Sequence, residues 1–359
     1  MASRPPRRES HPYHMHDCIH DQPNAIARIL DSQCAAADEL ARLASGARRV
    51  HVCGIGTSWH AALVGEHLLR TAGLVDTRAW HSFEFTSYTP PLSEDDLVIL
   101  MAHSGTKHYS GEALSLAKDS GASTALVTCL TSEARLDQAD VVLRTTYRDR
   151  SAAFTISHTG AMTALALTAS RISGGKWWEK ELRGLPDIVA TALKTENAVK
   201  SLIEKVRDYG WYCFAGWGPN ASTAYEVALK INEAAYDVTS AFQLEQFLHG
   251  PFVATDARGF VTLIAPPGPG YSRAVDIGKA VKATGAGLAA LVAEDDEEMT
   301  SVADATVALP RVPEALSPIV YVVPLQLFTY WLALRRGRNP DTFRLDDPSH
   351  LAAREHYSL

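Results

Sequence analysis

The segment AYEVALKINEAAY sets two carboxylates and an ammonium at helical spacing. Glu226, Lys230 and Glu233 stand at i, i+4 and i+7 and so share one helix face. A carboxylate beside a cation can move a proton to and from carbon. The cation favours the ionised carboxylate or balances developing oxyanion charge, and partial burial pushes a carboxylic acid towards neutral pH. The other reading is a solvated face whose Glu–Lys pair adds about 0.2–0.5 kcal/mol. Further on, in LEQFLHGP, His249 precedes Gly250 and Pro251 and therefore falls in a turn. A histidine there suits a proton shuttle; a capping or merely exposed imidazole is the alternative.

A second kind of chemistry lies in the turns. HVCGIGTSWHA (residues 51–61) reads as a strand, a glycine turn and a helix start carrying Thr57 and Ser58. It is not GxGxxG, because Trp59 stands where the third glycine belongs, and the chain has no GxxxxGK[ST], so both nucleotide signatures fail. Unpaired N–H groups at a helix start still suit a smaller anion. VILMAHSGTK repeats the pattern with Ser104, Gly105, Thr106 and Lys107, and Ser157 opens a third helix within SHTGAMTALALTASR. Each turn alone could be an ordinary Ser/Thr cap. Three hydroxyl-rich helix starts on one sheet edge favour a phosphate pocket.

The elements that must position these residues alternate. Strand-like runs are expected at 50–55, 77–80, 97–102, 123–129 and 141–146, with helices at 58–72, 109–120, 133–139 and 157–171, and a linker at ISGGKWWEKE. The second half repeats the plan, with strands at 211–216, 260–265, 287–292 and 305–310 and the helix ASTAYEVALKINEAAY after the first of them. Gly56 and Gly218 are 162 residues apart, as are Ser104 and Pro266, which points to an internal duplication. The expected fold is α/β: two doubly wound parallel-sheet domains with a C-terminal helix and tail. The expected organisation is a lead-in at 1–35, domains at 36–185 and 195–336, and a tail at 337–359.

Composition limits the partners. Hydrophobic residues make up 46% of the 359 and net charge is −7, so the chain is globular and poorly suited to nucleic acid. The apolar run IVYVVPLQLFTYWLAL is short for a bilayer and reads as a buried helix, so no membrane partner is expected. MASRPPRRES has no apolar run after its arginines and reads as a disordered tail, not a secretion signal. The cysteines (Cys18, Cys34, Cys53, Cys129 and Cys213) form no CxxC and fit a reducing, cytoplasmic setting. His14 and His16, in HPYHMHDCIH, could ligate a metal, but no dedicated metal site is assigned.

These motifs together resemble the double sugar-isomerase (SIS) family: the isomerase half of glucosamine-6-phosphate synthase and its stand-alone relatives. The resemblance covers roughly residues 14–336. It rests on HMHDCIHDQPNAI, GTS at 56–58, HSG at 103–105, EVALKINEAAY with LEQFLHGP, and VVPLQLFTYWLAL. It implies that Thr57, Ser58, Ser104 and, where the family has threonine, Lys107 meet a sugar phosphate. His103 takes the place of a glutamine in that loop, and Ala102 of a serine. Glu233 matches the base that shifts a proton between C1 and C2, Lys230 its neighbouring lysine and Glu226 a glutamate of the same pocket. His249 matches a ring-opening histidine supplied by the partner subunit, which implies a homodimer with a shared active site.

Two departures narrow the expectation. Residue 2 is Ala, where the synthase's glutaminase domain uses a cysteine nucleophile, so glutamine-dependent transfer by this chain is not expected. The family's tail NLAK is matched here by HLAA (residues 350–353), which lacks the lysine, with Arg354 adjacent. The resemblance thus implies a cofactor-free isomerase or deaminase for a hexose or amino-sugar 6-phosphate. Alternatives are a deglycase of phosphorylated sugar–amine adducts, a non-catalytic sugar-phosphate sensor, and a subunit fed ammonia by a separate glutaminase.

Overall fold

The computed structural model describes residues 6–74, 76–105, 107–132, 138–172, 178–206 and 209–357. The chain divides into two compact units: Met1–Pro186 with Asn339–Leu359, and Asp187–Arg338.

The first unit opens with α1 (His14–His20), α2 (Gln22–Ser32) and α3 (Cys34–Gly46). It continues through β1 (Arg49–Gly54), α4 (Thr57–Thr71), β2 (Thr77–His81), α5 (Ser82–Ser87), β3 (Asp96–Met101), α6 (His108–Asp119), β4 (Ser123–Thr128), β5 (Val141–Arg144) and α7 (Ile156–Ile172). Its strands form one parallel sheet in the order β2-β1-β3-β4-β5. β3, DLVILM, is buried at every position, as a parallel strand covered on both faces must be. α7 packs on α2, α3 and α4 and is buried around nearly its whole girth, which makes it a core helix.

After α8 (Glu179–Leu193) and α9 (Glu196–Val206), the second unit runs β6 (Trp211–Gly216), α10 (Asn220–Ala234), β7 (Ser240–Gln243), α11 (Leu244–Leu248) and β8 (Gly259–Ala265). It ends with α12 (Tyr271–Ala283), β9 (Gly287–Ala293), α13 (Glu297–Val302), β10 (Ala305–Leu309) and α14 (Ser317–Arg335). Its sheet, β7-β6-β8-β9-β10, has the same parallel order as the first. The fold is thus α/β with two five-stranded parallel sheets. The repeat extends to atomic detail. A Cβ on Gly54 would lie 2.4 Å from the Ser58 carbonyl oxygen, and one on Gly216 would lie 2.4 Å from that of Asn220. Each first strand therefore needs glycine where the following helix turns back over it.

Several elements depart from expectation. The lead-in is helical because Met15, Ile19, Ile26 and Ile29 recur at helical spacing and are fully buried. Within MASRPPRRES, Arg8 is held: its carbonyl accepts from Asn339 Nδ2 at 2.8 Å and its guanidinium pairs with Asp17 at 2.7 Å. The expected linker overlaps the start of α8 at Glu179, while its residues 173–177 lie outside the described residues, as do 133–137 of the expected helix at 133–139. The C-terminal segment, with α15 (Pro348–Ala353), belongs to the first unit. Its Asp341 carboxylate accepts the N–H groups of His14 at 2.8 Å and Met15 at 2.9 Å, capping α1. The apolar segment Glu314–Arg335 is long enough to cross a membrane by length and composition, yet it is buried inside the second unit.

Candidate functional site

Strand order in the first unit reverses between β1 and β3, which opens a crevice at the carboxyl ends of these strands. A pocket lies there, with about 300 Å³ of empty space counting its open mouth. Thr57, Ser58, His103, Thr145, Ser157 and His158 supply its polar wall; Met101, Val127 and Phe154 supply apolar surface. The hydroxyl-rich starts of α4 and α7 therefore do converge. The N-cap of α4 is Gly56, at φ +57°, so Thr57 and Ser58 sit inside the first turn and are not caps. Ser157 Oγ is buried and makes no hydrogen bond within the protein.

The turn after β3 contributes His103. Its carbonyl accepts from Cys129 N–H at 3.0 Å and Thr128 Oγ1 at 3.1 Å, and its ring meets Phe154 edge-on at 5.4 Å. Its Nε2 lies 3.6 Å from Oδ2 of Asp149, whose carboxylate is fully buried. Asp149 also accepts the N–H groups of Thr155 at 3.0 Å and Ser157 at 3.2 Å, so one carboxylate secures the start of α7 and lies beside the imidazole, whose buried Nε2 makes no hydrogen bond within the protein. Burial pushes the His103 pKa below the usual imidazole range, and the Asp149 charge opposes that push.

Ala102 of this turn also lines the pocket, whereas Ser104, Gly105 and Lys107 do not. Ser104 is buried, and Gly105 takes φ +69° with its N–H on the Ala102 carbonyl at 3.1 Å. Lys107 is half-buried at the N-cap of α6; burial lowers its pKa first, then the charges of Arg148 and Arg354. Thr106 lies outside the described residues. Sequence reading passed over Asp149, Thr145 and Phe154. Asp149 gave one faint signal, an acidic residue shortly before a helix start.

In the second unit, α10 packs on β6, β7 and α14, and its polar trio is no solvated face. Glu226 is 0% exposed and Lys230 1%. Lys230 Nζ lies 3.7 Å from Glu226 Oε1 and bonds directly to Glu233 Oε2, while Glu233 keeps 16% of its side chain exposed. One end of the trio is sealed and the other reaches the surface. His249, at the C-cap of α11, is 72% exposed in its side chain and pairs with Glu245 at 3.4 Å.

The crevice of the second sheet is filled by the protein itself. Trp217, just after β6, is buried and donates from Nε1 to Glu314 Oε1 at 2.8 Å. Cβ atoms on Gly268 and Gly270 would lie 2.6 Å from that Glu314 oxygen and 2.5 Å from the Trp217 ring. The repeats share a scaffold, but the side chains at their two crevices differ. At the N-terminus, α1 places His16 and His20 one turn apart with rings 4.2 Å between centroids, a helical pair that the metal reading overlooked; His14 Nε2 instead meets the Pro6 carbonyl at 2.9 Å.

Two doubly wound sheets in tandem, one carrying a hydroxyl-lined crevice at its switch point, define a duplicated α/β ligand-binding protein. The chain belongs to the SIS-domain family, whose model matches residues 44–171 and 212–336. Among curated relatives, the glutamine–fructose-6-phosphate aminotransferase (isomerizing) of Pyrococcus horikoshii is 31% identical over 90% of this chain and 55% of its own length. That of Thermus thermophilus is 30% identical over 95% of this chain and 58% of its own. The chain thus spans little more than half the length of these relatives. Among solved structures, the C-terminal domain of the Francisella tularensis glucosamine-fructose-6-phosphate aminotransferase superposes with a TM-score of 0.85 at 19% identity, covering 94% of this chain and 100% of that domain. A Thermotoga maritima glucosamine-6-phosphate deaminase gives 0.75 at 20% identity, covering 92% and 97%.

Proposed function

We propose that the protein is a sugar-phosphate enzyme of the isomerase or deaminase type, acting on a hexose or amino-sugar 6-phosphate by proton transfer between C1 and C2. In this reading the first unit holds the phosphate against Thr57, Ser58, His103 and Ser157. Ser104 and Lys107 support that turn, and Gly105 and Thr106 complete it. Glu233 moves the proton through an enediol or enolamine, and Lys230 balances the charge that develops on oxygen. Glu226 holds Lys230 in place. His249 assists ring opening, and its exposure agrees with service to a second copy of the chain in a homodimer. Where C1 or C2 carries nitrogen, the same proton transfer yields an imine, which water hydrolyses to the carbonyl with release of ammonia or an amine. The adjacent carbonyl acidifies the C–H bond, so these steps need no further electrophile.

The observation that carries the catalytic reading is the lysine sealed between two carboxylates on α10. Desolvating such ions costs several kcal/mol each, and apolar residues of similar volume would serve stability as well or better. A non-catalytic sugar-phosphate sensor has no need of the trio. The test is a panel of glucose, fructose and glucosamine 6-phosphates, read for aldose–ketose conversion and ammonia release. Glu233→Gln should lower turnover by about 10²–10⁴-fold while keeping phosphosugar affinity. Full activity in that variant would overturn the assignment.

A further inference from the structure

The pocket holds a histidine–carboxylate pair that phosphate anchoring by helix starts does not require. His103 is buried, lines the pocket, and turns Nε2 towards the Asp149 carboxylate at 3.6 Å. Asp149 is in turn fixed by two backbone N–H groups at the start of α7. With Nε2–H towards the carboxylate, a neutral imidazole offers only the Nδ1 lone pair to whatever enters the pocket. A lone pair facing a phosphate oxygen is repulsive; two N–H groups, one for Asp149 and one for the phosphate, require the imidazolium.

We propose that Asp149 is a positioning residue for His103, and that the pair takes up one proton when the pocket binds a phosphate dianion. This inference rests on the phosphate-binding role proposed for the pocket. The surroundings of His103 agree with it. The 145–155 loop brings Asp149, which favours the charged ring, and Arg148, which opposes it. β4 ends beside it with the buried thiol of Cys129, and α7 brings His158 to the same pocket, while α4 adds the uncharged Thr57 and Ser58. In the empty pocket, burial outweighs Asp149 and keeps the ring neutral near pH 7. A dianion in contact raises the pKa of the ring, so binding draws in a proton. The sign follows from linkage. Affinity rises as pH falls between the bound-state and free-state pKa values of His103, by up to about tenfold per pH unit for one proton.

The experiment is titration calorimetry of the full chain with fructose 6-phosphate at pH 7.5, where the phosphate itself is essentially dianionic, in two buffers of different ionisation heat. The expected result is uptake of close to one proton in the native protein. It should fall towards zero in His103→Gln, which keeps an amide donor at that position without a titrating ring. In Asp149→Asn, uptake should drop while thermal unfolding reports separately on the start of α7. A role of Asp149 confined to holding α7 would change the melting curve and leave uptake unaltered. Binding without uptake in the native protein, or equal uptake in His103→Gln, would overturn the proposal and leave the functional reading standing. No binding of any phosphosugar would instead count against the functional reading.

Discussion

At the scale of single residues, the trio on α10 joins stability to chemistry. Lys230 is the cation for two carboxylates, and Glu226 beside it is wholly buried. Removing one partner of a buried pair costs more than the pair contributes, because a charge is left without a counter-ion. Lys230→Met should therefore lower unfolding free energy by about 3–5 kcal/mol, measured in urea. The double variant Lys230→Met/Glu226→Gln should regain much of that stability yet remain inactive. A loss under about 1 kcal/mol for the single change would mean that Lys230 is solvated, contrary to its burial. The spacing of these three residues was legible in the sequence, but their burial was not. It arises from α14 covering the helix, a contact between segments about a hundred residues apart. Asp149 was barely legible for the same reason: its one faint signal, an acidic residue shortly before a helix start, gives no hint that the loop folds against His103.

At the scale of elements, the turn between β1 and α4 decides whether hydroxyls face the pocket. Gly54 lets the first turn of α4 come within van der Waals range of the strand, and Gly56 supplies the positive φ that starts the helix. Gly54→Ala would force the backbone at Ser58 to shift, and misplacement of a binding group by about 1 Å can cost on the order of 10²-fold. The variant should lose at least about tenfold in fructose 6-phosphate affinity by calorimetry. Gly216→Ala, with the same crowding after β6, should lower stability and leave that affinity unchanged. Equal loss of affinity in both variants would contradict the assignment of the phosphate to the first unit. The alternating strands and helices were legible because buried parallel strands read as unbroken apolar runs. α8 and α9 were less so: Gly and Lys before them suggested a linker, whereas their apolar residues at helical spacing belong to amphipathic helices.

At the scale of the whole chain, duplication supplied two scaffolds, and side chains then set them apart. The first crevice stayed open and polar. The second is closed by Trp217 and by Glu314, whose carboxyl pKa is raised by burial. The shared sheet order and matching glycines were foreshadowed by the 162-residue offset between Gly56 and Gly218. The closing of the second crevice was not, because Glu314 lies almost a hundred residues beyond Trp217 and meets it only in the folded unit. The C-terminal segment likewise read as an appendage, although Asp341 ties it to α1.

The most direct test of the central claim is proton exchange at the sugar. Glucose, fructose and glucosamine 6-phosphates are incubated with the full chain in D₂O and followed by NMR. The account predicts that at least one acquires deuterium at C1 or C2, and that Glu233→Gln abolishes the exchange without abolishing binding. Saturable binding with no deuterium incorporated into any of the three sugars would contradict it and mark the protein as a sugar-phosphate sensor.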